Sequence, residues 1–313
     1  MVEISVKGKW VNVPAVRCGD CTIIVSGKSI KIARVNDEAW ISAELTDPER
    51  CAQLLRASGQ SCDILTFSQL PPGRAPEFDY YQEPDSIAAI RLTSFKEWWE
   101  GLPQETRKNV RRAEKRGVRV RVEKFDDELV KKLVEINNSS PVRQGRPYHH
   151  YGKSLEQTRK DHCSFVERSD FFCAYCEDEV IGYLKLVYRG QVASVLNLCT
   201  KDSHLDKRPA NALLKAAVER SAAQGVTCVT YGLFNYGNKR NTPITQFKIR
   251  HGFEEVLVPR YFVPLSLRGK VLLKLGLHRG ILGILPNRLI QIGLDVRTRS
   301  YSLYRSVSKA GVA

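Results

Sequence analysis

Asn241-Thr-Pro-Ile-Thr-Gln-Phe-Lys-Ile-Arg-His-Gly-Phe253 decides how the rest of the chain reads. It reads as a short helix that ends on Gly252, since glycine takes the left-handed turn that stops a helix. The chain then passes at once into a strand over 254–263. A glycine-closed helix followed by an aromatic residue is common. This one follows a strand–helix–strand unit and places Asn241 and Phe247 at fixed offsets from Gly252-Phe253.

Upstream, 226–231 reads as a strand and 209–223 as a helix stopped by Gly225. Three strands precede it, at 171–176, 180–188 and 191–199. Glu177-Asp178-Glu179 and Arg189-Gly190 join them, which predicts an antiparallel meander. A helix from 126 carries Leu129, Leu133 and Ile136 on one face. A structureless loop at 137–153 comes next, then a capping box, Ser154 with Gln157, opening a helix to about 168. Ser94 and Glu97 form another such box before Trp98 and Trp99. Pro103 restarts a helix ending before Gly117, and 118–122 alternates with valines inward and arginines outward. Residues 1–90 read as strands and Gly turns, with a helix opened by Asp47 and Pro48 and a loop at 71–76. Cys18 and Cys21 flank a hairpin turn, whereas Cys173 and Cys176 fall on opposite faces of a strand. Neither spacing predicts shared zinc ligation.

The net charge is +15 and is clustered. Residues 107–121 hold eight Lys or Arg against one Glu, and residues 264–313 hold nine against Asp295 alone. Such clusters suit a polyanionic partner (RNA, an anionic membrane surface or a phosphorylated substrate), or they solubilise the surface. No apolar run reaches the roughly 18 residues that span a bilayer, and residues 1–7 lack a secretion signal's apolar core. Nine cysteines fit a cytoplasmic protein with reduced thiols. Contact with a membrane periphery through the tail stays open.

Helix–helix–three strands–helix–strand–helix–strand, over about residues 105–265, resembles the acyl-CoA N-acyltransferase (GNAT) fold. That resemblance implies an α/β class: a central mixed sheet flanked by helices. Asn241, Ile244, Phe247, Gly252 and Phe253 sit at the places of the family's last-helix signature. Lys248 stands where the family has a tyrosine that protonates the leaving thiolate. The donor loop departs too, since Leu205-Asp-Lys-Arg-Pro-Ala-Asn-Ala212 lacks the family's glycines. Free helix N–H groups beside Lys207 and Arg208 can still hold phosphate. The FemAB/FemX branch tolerates that loss. Three segments resemble it: Thr106 to Val118, the Pro141 to Tyr151 loop, and Phe247 with Gly252-Phe253 and Pro264. That branch uses two such domains in tandem and transfers an amino acid from tRNA to a peptidoglycan precursor. The resemblance implies a bacterial member with a degenerate, β-rich first copy at 1–100, an acyltransferase domain at 101–265 and a basic helical extension at 266–313.

Transfer to an amine needs a neutral nucleophile, a positioned carbonyl and donors to the oxyanion. The fold implies that Asn197, Leu198 and Cys199 wall the gap between 191–199 and 226–231, and that Lys207, Arg208, Ala210, Asn211 and Asn241 hold the donor. Ordinary interior strand residues would look the same. His149 and His150 are candidate bases. They share their loop with Arg143, Gln144, Arg146 and Tyr151, candidates for binding substrate. Adjacent histidines usually point apart, so at most one acts. Lys248 or Tyr236 is the candidate acid, and His204 reads as a turn residue. Three functions follow: aminoacyl transfer from tRNA to an amine, with a cell-envelope precursor as one acceptor that the resemblance implies; acyl transfer from CoA; or a non-catalytic fold that grips RNA or a membrane. In the first two the donor is a co-substrate and no cofactor is tightly bound.

Overall fold

Glycine turns between short β-rich runs make the first part of the chain fold back on itself. The computed structural model describes residues 1–6, 8–37, 39–71, 75–143, 146–235 and 242–279. In it, β1 (Val2–Val6) and β2 (Lys9–Val13) pair as a separate hairpin. Next, β3 (Ala15–Cys18), β4 (Cys21–Ser26) and β5 (Ile32–Val35) form an antiparallel meander, with Cys18 opposite Cys21. The Asp47 carboxylate accepts from the Arg50 N–H and starts α1 (Pro48–Ala57). This crossover sets β6 (Ile64–Ser68) parallel to β5. Last in this half is β7 (Tyr81–Arg91).

The second half opens with α2 (Phe95–Gly101) and α3 (Gln104–Lys115), then β8 (Val118–Glu123) and α4 (Asp127–Asn137). The loop read as structureless contains a small hairpin, β9 (Val142–Arg143) with β10 (Arg146–Pro147). The capping box opens α5 (Leu155–His162), which stops short of the expected 168. The buried Lys185 ammonium donates to the carbonyls of His162 (3.0 Å) and Ser164 (2.5 Å), and Phe165 turns left-handed at φ 54. The meander follows as β11 (Ser169–Cys176), β12 (Glu179–Arg189) and β13 (Val192–Thr200). Then come α6 (Pro209–Ala223), β14 (Cys228–Leu233), α7 (Pro243–Arg250), β15 (Glu254–Pro264) and α8 (Leu267–Lys274). On β8, Val118 is buried but Val122 is half exposed, because the strand lies at the edge of the sheet.

Eleven strands join in the order β3-β4-β5-β6-β15-β7-β14-β13-β12-β11-β8. Both halves repeat one plan: three antiparallel strands, a crossover helix, a strand parallel to the third, then a final long strand. The final strands are exchanged. β7 pairs with β14 of the second half, β15 pairs with β6 of the first, and β7 and β15 pair with each other over nine residues. Each exchanged strand thus covers the other half's open edge.

The faces are covered unequally. In the second half α6, with α2 and α3, packs on one face, and α4 packs on the other through Leu129, Leu133 and Ile136. In the first half α1 covers the face of Ile23, Val25, Leu65 and Phe67. Among the described residues, the chain before β3 forms the β1–β2 hairpin, and α8 packs on the face opposite α1 through Leu272 against Ile64 and Phe262.

Because the halves share their last strands, they should unfold together. Ile87, fully buried on β7 against Val258 and Leu70, tests this. Ile87→Ala should cost about 2–5 kcal/mol. Far-UV circular dichroism and tryptophan fluorescence should shift as one transition in urea. Two separated transitions would refute the shared seam.

Candidate active site

β13 and β14 run parallel at only three pairs, Val192↔Cys228, Ala193↔Val229 and Ser194↔Thr230, and then part. Just beyond, β13 carries one extra residue. Leu186 opposes Val195 and Lys185 opposes Asn197, leaving Leu196 as a bulge. A bulge bends its strand and re-aims its amides. Beyond Ser194 the β14 side of β13 faces the gap. Leu196 and Asn197 open from there into a cavity of about 990 Å³.

The cavity lies against the first half's face opposite α1, part of which α8 covers through Leu272 on Ile64 and Phe262. Ile24, Ile32, Arg34, Thr66 and Phe262 form its floor, and registers Ile24↔Arg34, Arg34↔Thr66 and Phe262↔Thr66 put them on one side of the sheet. Its rim is the β1–β2 hairpin and the histidine loop. His150 Nδ1 lies 2.8 Å from Asp161 Oδ2. The same carboxylate accepts from Lys153 Nζ at 2.5 Å, and its other oxygen accepts from Trp10 Nε1 at 3.0 Å. Burial alone would raise the Asp161 carboxyl, but the His150 and Lys153 hydrogen bonds outweigh it and hold the group at about 2. An ionised carboxylate only accepts, so the His150 Nδ1–H donates, and the bond fixes the orientation of the ring.

The two histidines do not point apart. Their rings lie 4.2 Å apart and both line the cavity. Gly8 in the β1–β2 turn makes this possible. At φ +79 it approaches so closely that a Cβ there would lie 3.0 Å from His149 Cβ.

Arg143 is engaged within the fold. Its guanidinium donates to the carbonyls of Thr200 (2.7 Å) and Ile136 (2.9 Å), to Ser139 Oγ (2.9 Å), and covers the Tyr148 ring. Tyr151 is exposed. Gln144, Tyr236 and Asn241 lie outside the described residues, as does the side chain of Arg146. Cys199 faces α4, where its Sγ meets Tyr148 Oη at 3.6 Å, so it does not wall the gap as expected. Leu198 packs on the α6 side, and of the three only Asn197 lines the cavity. His204 is a turn residue beside Ser203 and Glu179.

On the α6 face, Arg208 takes the left-handed conformation (φ 59) before Pro209, and no side chain caps the helix. Lys207, Ala210 and Asn211 are half-buried there. The Asn211 amide is tied to α7, with Nδ2 3.0 Å from His251 Nε2, while His251 Nδ1 contacts Phe247 O at 2.7 Å. Burial depresses His251 to about 4, so it is neutral at physiological pH. Beside this helix start, Arg116 at the end of α3 pairs with Asp206, and Lys108, Arg111, Arg112 and Lys115 stand exposed along α3. Lys248 is fully buried on α7. Its ammonium donates to Leu233 O at 2.7 Å and sits 4.6 Å from the Tyr231 ring centre.

Sequence reading missed Asp161, Trp10 and His251. Asp161 lies within the helix opened by the Ser154 capping box, but nothing local pairs it with Trp10, 151 positions away.

Burial lowers the Lys248 ammonium from 10.5 to about 8. Between those values the unfolded chain binds the proton and the folded chain does not, so stability should rise with pH across that window, by up to about 3 kcal/mol. Lys248→Met should lack this rise in urea unfolding at pH values on either side of the window. Parallel pH profiles in the two proteins would refute the depressed amine.

Residues 103–240 match the family described as an acetyltransferase (GNAT) domain. No curated protein matches the sequence. Among solved structures, FemX is similar over 87% of this chain and 89% of its own, at 10% identity and TM-score 0.56. A C-terminal DUF2156 domain from Agrobacterium fabrum aligns over 83% and 86% of the two chains, at 13% identity and TM-score 0.54. L-PGS from Bacillus licheniformis aligns over 82% and 85%, at 15% identity and TM-score 0.52. At such identities the likeness is one of fold. Among the described residues, no helix is long and apolar enough to cross a membrane. Residues 103–240 thus match the acetyltransferase (GNAT) domain family, and the chain as a whole shares its fold with FemX.

Proposed function

We propose that the chain is an N-acyltransferase that moves an acyl or aminoacyl group from an activated ester on a polyanionic donor to an amine held in the cavity. One observation carries the reading: the gap at Leu196 and Asn197 opens onto a cavity whose wall holds the His150–Asp161 pair.

The donor docks on the α6 face, where uncapped helix amides and the α3 cations attract phosphate. Its ester carbonyl accepts from a main-chain N–H at the bulge. In the cavity, His150 Nε2 takes a proton from the acceptor ammonium. The neutral amine attacks the carbonyl carbon, a C–N bond forms, and the oxyanion stays on the bulge amide. As collapse breaks the ester bond, the nitrogen of the new amide gives its second proton to water in the cavity. Lys248, at the tyrosine's place, protonates the leaving oxygen or sulfur and is reprotonated from water, so one proton is released overall. Lys207 and Arg208 hold the donor's phosphates. The donor is aminoacyl-tRNA in the first reading, because the exposed cations run along α3 well beyond what one pyrophosphate needs. Acyl-CoA is the second reading, favoured by the uncapped start of α6.

Mass spectrometry of the RNA and small molecules that co-purify with the protein separates the two donors. Aminoacyl-tRNA in the bound fraction supports the first, and a CoA thioester sinks it. With the donor so identified, His150→Gln should slow transfer by roughly 10²–10⁴-fold and leave donor binding unchanged. Replacing Lys108, Arg111, Arg112 and Lys115 by Ala should flatten the salt dependence of RNA binding. Unaltered transfer by His150→Gln would remove the base from the mechanism.

A further inference from the structure

We infer that the outward face of α8 docks on an anionic lipid surface, through Leu267, Val271 and Leu275 with Lys270 and Lys274 beside them. The inner side of this helix is fixed to the sheet. Leu272 packs on Ile64 and Phe262, and Gly269 comes so near that a Cβ there would lie 2.0 Å from Asp63 O. The capping Ser266 hydroxyl also donates to Asp63 Oδ1 at 3.3 Å, and Arg268 donates to Ser29 O at 2.7 Å. At about 100° per residue, positions 267, 271 and 275 then share the opposite side of the helix.

Leu267 is 80% exposed, Leu275 63% and Val271 56%, and Leu267 is the most exposed large apolar residue among those described. Single exposed leucines need no explanation, but these three stand one turn apart in a stripe about 12 Å long. A surface helix is normally polar on the side away from the core. This one is apolar on both sides. Exposed Lys270 and Lys274 run along one edge of the stripe and Arg268 along the other, and Leu267–Lys274 contains no acidic residue. Phe262, on which Leu272 packs, also lines the cavity, so α8 and the cavity share one face of the first half.

Charge selects the occupant. Residues 280–313 hold five Lys or Arg against Asp295 alone, so the chain after α8 carries the same sign as the lysines, and so does a second copy of the helix. RNA would satisfy the lysines, but leucine and valine give its bases no aromatic face to stack on. An anionic bilayer satisfies both. The aliphatic stripe enters the interface while the lysine stems snorkel to the headgroup phosphates. Docking of this kind needs no acyl transfer and stands or falls apart from it.

Co-sedimentation of the full chain with phosphatidylcholine vesicles, with and without phosphatidylglycerol, tests this. Partition onto the anionic vesicles should be about tenfold stronger or more, and should weaken as salt is raised. Leu267→Ser, Val271→Ser and Leu275→Ser combined should lose about tenfold or more of that partition. All three side chains are exposed, so the far-UV circular dichroism spectrum should not change. Lys270→Ser with Lys274→Ser should also lose about tenfold or more. The fluorescence of Val271→Trp should shift to the blue on anionic vesicles and be quenched by lipids brominated in their acyl chains. Equal partition onto both vesicle types, or none onto either, overturns the docking. Full partition by the triple-serine variant overturns it too, and assigns lipid binding to residues 280–313. So does a triple-serine variant that loses RNA binding, or changes from dimer to monomer in light scattering, while its partition is unaltered.

Discussion

The main-chain ladder between β7 and β15 is the contact on which the rest of the structure depends. Nine residue pairs join the last strand of one half to the last strand of the other. Neither half can complete its own sheet, because β14 finds its second neighbour in β7 and β6 finds its in β15. The exchange fixes the two half-sheets as one surface and sets the first half's cavity-lining face opposite the bulge of β13. The cavity is a product of that placement.

The first half holds the meander, the crossover helix and the parallel strand, and among its described residues a two-stranded hairpin precedes them. An isolated hairpin is barely stable in water. This one is held by contacts to the other half: Trp10 to Asp161, Glu3 to Lys160, and Gly8 against His149. Part of the face opposite α1 is left as a chamber floor, and the hairpin reaches His150 through Asp161.

Charge is divided across the sheet. On the cavity side, Asp161 is ionised and buried, and its lone pairs are taken by His150, Lys153 and Trp10, which is how a buried charge is tolerated. On the α6 side a lysine replaces the expected tyrosine and burial loosens its proton. His150 with Asp161 thus lies on one face and the buried Lys248 on the other, with the strand gap between them.

Local pattern determined much of this from the sequence alone. The helix at 209–223, the three-strand meander, the glycine stop at 252 and the Asp47 and Ser154 caps depend on neighbours a few residues away, so they were legible. The family resemblance followed from their order. The early end of α5 was not legible, because the ammonium that stops it comes from β12. Nor were the fates of Arg143, drawn into main-chain carbonyls, and of Cys199, turned toward α4. The strand exchange, the chamber and the Trp10–Asp161 contact were decided only by tertiary structure. Each joins groups far apart in the chain, and a sequence records periodicity along the chain but not which distant faces are brought together.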